Sequence, residues 1–200
     1  MVRAFFVTCL AVTCLTLTGP APAQADDLPP LMLGPGDAQV HGIKDQALIR
    51  TSAFGYVFIA GQQHSRLVVT YLEDSDRLRY RDLGTAELTT IPESCEQEAV
   101  GHGISVVCAV PERFDDEPMF VQVWPRLGND HVDAHTLPDR FRLWVLADAG
   151  ADVVRCGEGD CFVNGALGND RIFGGVGDDW LRSGPGVNWV VGGGGTDRIV

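Results

Sequence analysis

The sequence predicts an all-β protein that ends in an array of nine-residue repeats, and three observations predict it. Between residues 38 and 124, short segments rich in β-branched and aromatic residues alternate with clusters of Gly, Pro, Asp, Asn and Ser, the pattern of β-strands and turns. No segment in this range keeps the 3.6-residue period of a helix. From Ala147 onward, glycine, aspartate and an aliphatic residue recur at fixed places every nine residues.

The first 25 residues predict a secretory signal peptide. A basic start at Arg3 precedes an apolar run over residues 4–17 and the small-residue tripeptide Ala23-Gln24-Ala25. The run is too short for a membrane span, so we expect cleavage after Ala25 and a secreted, extracellular protein. A lipid anchor at Cys14 is an alternative that the preceding residues fit poorly. Residues 26–37 are rich in Pro and Gly and predict a flexible lead-in.

Residues 38–124 predict a smaller β-rich N-terminal region. Its predicted strands are 46–51, 56–60, 66–72, 77–80, 104–110 and 119–124. The whole chain has a net charge of −12, which repels nucleic acid and anionic lipid and suits a cation-binding protein.

Residues 147–200 divide into six nine-residue units, and residues 125–200 as a whole predict the repeat region. The units are ADAGADVVR, CGEGDCFVN, GALGNDRIF, GGVGDDWLR, SGPGVNWVV and GGGGTDRIV, with glycine at the fourth position of each. The sixth positions are Asp152, Cys161, Asp170, Asp179, Asn188 and Asp197, and the eighth positions are aliphatic throughout. Residues 125–133 and 134–142 follow the same frame more weakly, the first through Gly128, Asp130 and Val132 and the second through Asp139 and Phe141. A four-residue insertion, 143–146, then separates them from the main array.

These units match the pattern G-G-x-G-x-D-x-U-x, where U is a large aliphatic residue, and the chain here resembles RTX-type (hemolysin-type) calcium-binding nonapeptide-repeat proteins. Its layout also resembles small secreted actinobacterial calcium-binding proteins, with a β-rich region, a Cys95 and Cys108 pair, and Leu127-Gly128-Asn129-Asp130 before the repeats. The resemblance implies a right-handed parallel β-roll in which Ca²⁺ lies between stacked turns.

Calcium takes six to eight oxygen ligands from carboxylates and carbonyls, and glycine permits the turn that presents the carbonyls. The residues predicted to hold Ca²⁺ are Asp152, Asp170, Asp179, Asp197 and Asn188, with Gly165, Gly168, Gly174, Gly177, Gly192 and Gly195. With two units in each coil, positions 18 residues apart stack. The pair Asp179 and Asp197 joins two units that match the pattern fully, so we expect it to form the best site.

Two alternatives to a calcium site remain open. Ordinary glycine-rich turns use aspartate as a turn former, although turn preference does not explain the aliphatic eighth position. The repeats could also be too degenerate to bind Ca²⁺ at physiological concentrations.

The predicted mature chain has four cysteines, Cys95, Cys108, Cys156 and Cys161, which predict two disulfides in an exported protein with three possible connectivities. The spacing favours the local pairs Cys95–Cys108 and Cys156–Cys161. A zinc site is disfavoured because neither pair has C-x₂-C spacing.

Other candidate sites are weaker. His131 and His135 form H-x₃-H, but they lie in the repeat frame and predict surface histidines. Trp180 and Trp189 occupy seventh positions, and the 18-residue period places Arg198 and Arg171 beside them. We expect each guanidinium to stack on the neighbouring indole, whereas bare rings would indicate a binding surface for a glycan or a protein.

The sequence therefore predicts a secreted, non-enzymatic protein that binds calcium ions and is folded or stabilised by extracellular Ca²⁺. It contains neither H-E-x-x-H nor G-x-S-x-G. One alternative is a secreted hydrolase with its site in the N-terminal β region, and another is an envelope or adhesion interaction module. A protein or glycan partner is not identified.

Overall fold

Sixteen β-strands make up nearly all the regular structure of residues 45–200, the part of the chain that the computed structural model describes. The predicted signal peptide, Cys14 and the predicted lead-in lie outside these residues. The strands are β1 (Gln46–Ser52), β2 (Gly55–Ala60), β3 (Arg66–Leu72), β4 (Arg77–Asp82), β5 (Glu87–Thr90), β6 (Cys95–Gln97), β7 (Ile104–Ala109), β8 (Met119–Trp124), β9 (His131–Asp133), β10 (Phe141–Leu146), β11 (Val153–Arg155), β12 (Cys161–Asn164), β13 (Arg171–Gly175), β14 (Trp180–Arg182), β15 (Trp189–Gly193) and β16 (Arg198–Ile199).

The predicted all-β class is confirmed. Two 3₁₀ turns, Glu73–Ser75 and Glu112–Phe114, complete the regular elements of the described residues. Within residues 45–200, no helix has the length and hydropathy needed to cross a bilayer.

The strands form two eight-stranded sheets. Sheet A has the order β16-β14-β12-β10-β8-β2-β1-β5, and sheet B has the order β15-β13-β11-β9-β3-β4-β7-β6. From β8 onward, successive strands alternate between the sheets. From β10 onward, each strand pairs in parallel with the strand two places earlier. This alternation is the parallel β-roll that the resemblance to RTX-type proteins implies, with two repeats in each coil.

The N-terminal strands extend the same two sheets. β2 pairs in parallel with β8, and β3 pairs in parallel with β9. The six strands predicted in this region are confirmed, with shifts of one or two residues at some ends. The pattern missed β5 and β6, because these short strands have mostly exposed residues and therefore show no apolar alternation.

The predicted 18-residue register is confirmed within the main array. Val153, Arg171 and Trp189 are successive partners in sheet B, and Phe162, Trp180 and Arg198 are successive partners in sheet A.

The predicted stacking of arginine on tryptophan is wrong, although the register partners are right. The arginines that lie over aromatic rings within residues 45–200 are Arg50, Arg113, Arg140, Arg142 and Arg155. Neither Arg171 nor Arg198 does so, and Trp189 is 63% exposed. Neighbouring strand positions set the separation of the backbones but not the rotamers of long, exposed side chains.

The position predicted for the four-residue insertion is also wrong. Leu143 pairs with Cys161 and Val145 with Val163, so Leu143 holds a sixth position and Val145 an eighth. The extra residues therefore lie in the turn before β10, and Asp139 does not occupy a sixth position. Burial explains why Leu143 and Val145 take these positions. Both side chains are at most 2% exposed, whereas Asp139 is exposed.

The eighth-position side chains fill the space between the sheets. Val154, Val163, Ile172 and Leu181 are at most 1% exposed and belong to one continuous core. Burying each such side chain contributes about 1.5–3 kcal/mol. Ile199, on the edge strand β16, is 51% exposed.

Both local disulfides are present. Cys95–Cys108 joins register partners on β6 and β7, and Cys156–Cys161 closes the turn before β12. The two pairs agree with the spacing that the sequence favoured.

Candidate metal centre

Four buried aspartates stand at the turns of the roll. Asp130, Asp152, Asp170 and Asp179 are only 1–2% exposed, and each is the residue immediately before a strand. The strand that follows places its aliphatic residue in the core two positions later. This anchoring holds the aspartate inside the turn, next to the turn stacked above it.

The sixth-position side chains form a ladder along the stack. In sheet B, the backbone N–H of Asp152 donates to Asp170 Oδ1 at 3.0 Å, and that of Asp170 donates to Asn188 Oδ1 at 2.8 Å. In sheet A, the N–H of Cys161 donates to Asp179 Oδ1 at 2.8 Å, and that of Asp179 donates to Asp197 Oδ1 at 3.1 Å.

Fifth-position side chains form a second ladder that runs in the opposite direction. The N–H of Val187 donates to Asn169 Oδ1 at 2.8 Å, and the N–H of Thr196 donates to Asp178 Oδ1 at 2.7 Å. Sequence reasoning missed this ladder because the fifth position is not always Asn or Asp: Ala151, Val187 and Thr196 also occupy it. Stacked turns are thus joined in both directions by side chains that accept backbone N–H groups.

The second carboxylate oxygen of each buried aspartate has no such partner. Oδ2 of Asp130, Asp152, Asp170 and Asp179 is buried and makes no hydrogen bond. Each of these aspartates has another turn stacked after it, whereas Asp197, in the last coil, is half-buried. Buried polar atoms are nearly always satisfied, so this repeated exception points to a ligand between the turns.

The space beside these oxygens would be filled by a side chain at the first position of the turn. A Cβ on Gly174 would lie 2.1 Å from Asp179 Oδ2 and 2.3 Å from the carbonyl oxygen of Gly192. A Cβ on Gly165 would lie 2.5 Å from Asp170 Oδ2 and 2.8 Å from the carbonyl oxygen of Ser183. A carboxylate oxygen and a carbonyl oxygen of the next turn therefore converge on one small space, which is a donor set suited to Ca²⁺.

The fourth-position glycines allow the backbones of stacked turns to approach closely; they do not line the space beside the carboxylate oxygens. Gly168 has φ +149°, and a Cβ on it would lie 1.5 Å from the carbonyl oxygen of Gly150. Stacked turns approach this closely only where no side chain intervenes. Gly177 and Gly195 likewise pack against the backbone of the preceding turn.

The comparison with known families bears on this geometry. Residues 164–199 match the family model of the RTX calcium-binding nonapeptide repeat, in four copies. This segment is an array of RTX repeats. Neither the curated proteins nor the solved structures gave a match to the chain. The repeats support calcium binding, and their fit to a calcium ion follows from the unpaired carboxylate oxygens and the glycine-lined space beside them.

Burial also raises the pKa values of the aspartates in the roll, both inside and outside the matched RTX repeats. Desolvation raises the pKa of Asp130 to about 8 and the pKa values of Asp152 and Asp179 to about 7, and it raises that of Asp170 as well. The charges that act on Asp179 are other carboxylates, including Asp197. A divalent cation at these oxygens would favour the ionised form and reverse the shift.

The structure brings the predicted ligands together in two columns. One contains Asp152, Asp170 and Asn188, and the other contains Asp179 and Asp197, which follow Cys161. Asn188 also donates from its Nδ2 to the carbonyl oxygen of Gly184 at 2.8 Å. Cys161 has a sulfur in place of a side-chain oxygen, and this sulfur is in a disulfide.

Asp130 is a candidate ligand that was missing from the predicted set. Its N–H donates to Asp152 Oδ1 at 2.8 Å, so it continues the column although 22 residues separate the two. Gly128 and Asp130 fit the repeat pattern in the sequence, but the extra residues before β10 break the period between them and the main array. Ser65 occupies the next place in the column, because its N–H donates to Asp130 Oδ1 at 2.7 Å. The column therefore extends from the RTX repeats into the N-terminal region.

The described residues contain no group of three or more His, Cys, Asp and Glu side chains able to hold a metal. A cation in the roll would therefore take one or two carboxylates per site and complete its shell with carbonyl oxygens. His131 lies on β9 and His135 in the following turn, and both contact Asp133 rather than forming a helical H-x₃-H pair.

Proposed function

We propose that this protein is an exported, non-enzymatic calcium-binding protein whose β-roll is stabilised by extracellular Ca²⁺. The observation that carries the proposal is the set of four buried Oδ2 atoms without partners, on Asp130, Asp152, Asp170 and Asp179. A calcium ion between stacked turns would satisfy these oxygens and remove the repulsion between neighbouring carboxylates. Stabilisation then follows from linkage, because the site exists only in the folded roll.

Export is supported by two features. The two disulfides suit an oxidising compartment, and the first 25 residues have the composition of a signal peptide. Millimolar calcium outside the cell would keep moderate-affinity sites occupied. The non-enzymatic role rests on the absence of hydrolase and metalloprotease motifs from the sequence.

Isothermal titration of the chain from Asp26 to Val200 with CaCl₂ tests the proposal, with MgCl₂ as the matched control. We expect saturable calcium binding and far weaker magnesium binding, because Mg²⁺ demands a compact octahedral shell and retains its waters. An absence of calcium binding at millimolar concentrations would contradict the proposed function.

A further inference from the structure

The outer face of sheet B carries four arginines whose side chains are exposed. They are Arg66 on β3, Arg81 on β4, Arg155 on β11 and Arg171 on β13. We call them, with Phe173 and Trp189, the arginine face. Within the described residues, neither Arg66 nor Arg171 makes an ion pair or a ring contact, and Arg155 is 3.9 Å from the oxygen of Asp133.

The arginines form two rows that cross the strands. Arg66, His131, Val153 and Arg171 are successive register partners, so three strand spacings separate the two arginines. Arg81, Val68, Asp133 and Arg155 are successive partners in the neighbouring row, and again three spacings separate the arginines. At about 4.8 Å per strand, each interval is about 14 Å. The charges are thus repeated along a line perpendicular to the strands.

An aromatic platform continues the rows beyond the arginines. Trp189 is the partner of Arg171 on the edge strand β15 and is 63% exposed. Phe173 is the partner of Arg155, whose guanidinium lies 5.7 Å from the ring centroid. At the other end, a shallow cavity beside Arg81 is lined by Val68, Thr70, Arg79 and Glu98. The indole of Trp189 is not covered by Arg171, so its ring is available to a ligand.

The charge of this face is opposite to that of the chain. The net charge of the protein is −12, yet the arginine face has four cations and one partly buried acid, Asp133, among its two rows. The charge of nearby Glu98 is balanced by Arg79, which donates two hydrogen bonds of 3.0 Å to its carboxylate. Concentrating cations on one face of an acidic protein creates a local attraction for anions.

We propose that the arginine face binds an acidic polysaccharide that lies across the strands of sheet B. Carboxylates repeated along such a polymer can pair with successive arginines, and the apolar face of a sugar ring can stack on Trp189. A peptide fits less well, because the face offers Val68 and Val153 rather than partners for backbone N–H and C=O groups. Nucleic acid and anionic membranes carry charge so densely that the acidic remainder of the chain would repel them.

The test measures binding of hyaluronan, a soluble uronic-acid polymer, to the chain from Asp26 to Val200 in calcium-containing buffer. Dextran serves as the neutral glycan and poly-glutamate as the acidic peptide. The variant Arg66→Glu/Arg171→Glu removes two charges of the face, and Arg182→Glu/Arg198→Glu makes the same charge change at exposed positions of sheet A. Circular dichroism and calcium titration of both variants show that the roll is intact.

We expect hyaluronan binding that weakens as salt rises and falls at least about tenfold in Arg66→Glu/Arg171→Glu. The sheet A variant should lose less than about twofold, and Trp189→Ala should lose about threefold without changing the salt dependence. Equal losses in the two double variants, an absence of hyaluronan binding, or equally tight binding of poly-glutamate would overturn the proposal. These results are independent of the calcium titration that tests the proposed function.

Discussion

The backbone N–H of Asp179 donates a 3.1 Å hydrogen bond to Oδ1 of Asp197, 18 residues further along the chain. Oδ2 of Asp179 is left without a partner and lies beside Gly174 and the carbonyl oxygen of Gly192. These two turns carry every glycine of the repeat pattern. They should therefore form the tightest calcium site.

Changing Asp179 to Ala should weaken the tightest calcium binding at least about tenfold, or about 1.4 kcal/mol. Asp152→Ala should have a smaller effect, because the first position of its turn is Ala147 rather than a glycine. Calorimetric titration of both variants makes the comparison. Equal losses would show that the two turns do not differ as sites.

The glycine-lined space gives a second prediction, with a matched control in the same turns. Gly174→Ala places a methyl group 2.1 Å from Asp179 Oδ2, whereas the nearest atom to a Cβ on Gly194 is 3.3 Å away. Neither glycine has a positive φ, so backbone strain does not separate them. Gly174→Ala should lower calcium affinity at least about tenfold, and Gly194→Ala should leave it within about twofold. Similar affinities for the two variants would exclude calcium from this space.

Calcium should stabilise the whole roll. At a free concentration 100 times the dissociation constant, one site contributes about 2.7 kcal/mol to the free energy of unfolding. We expect millimolar Ca²⁺ to raise the melting temperature and strengthen the far-UV β signal, and EGTA to reverse both changes. An equal concentration of Mg²⁺ is the control. A thermal transition and spectrum that respond to neither calcium nor EGTA would contradict calcium-dependent stability.

Asp130 should contribute to this stabilisation although it lies outside the matched repeats. Asp130→Asn keeps an acceptor for the N–H of Ser65 but removes the buried negative charge, so calcium should raise the melting temperature less than in the unmodified chain. Asp139→Asn is the control, because Asp139 is exposed and does not enter the column. Equal calcium-induced increases in melting temperature for the two variants would show that Asp130 does not bind the metal.

The disulfide Cys156–Cys161 closes a turn whose sixth position lacks an aspartate. We expect mass spectrometry of unreduced peptides to find this pair and Cys95–Cys108. The loop that Cys156–Cys161 closes is short. Removing this disulfide through Cys156→Ser/Cys161→Ser should therefore lower the free energy of unfolding by less than the ~3 kcal/mol expected for a fifteen-residue loop. Peptides that link Cys95 to Cys156, or Cys108 to Cys161, would contradict the connectivity.

Much of the roll could be predicted because each coil is specified by residues that lie close together in the sequence. A nine-residue period with an aliphatic eighth position requires that each unit bury one strand side chain and turn at the same place. The stacking of Asp152 on Asp170 and of Asp179 on Asp197 follows from that period. The frame failed where the period was interrupted, and it placed Asp139 in a position that Leu143 occupies. Burial of an apolar side chain outweighed the resemblance of the segment to a repeat.

The sequence by itself determined the all-β class, the columns of the repeat array and the local cysteine pairs, because each depends on residues close in the chain or at a constant spacing. Only the tertiary structure decided that Ser65 continues the aspartate column, since 65 residues separate it from Asp130 and no period connects them. The tertiary structure likewise decided that Asp130 is buried and that four arginines share one face of sheet B. Pairing between distant strands and the exclusion of water from a turn are properties of the packed chain, and local sequence does not encode them.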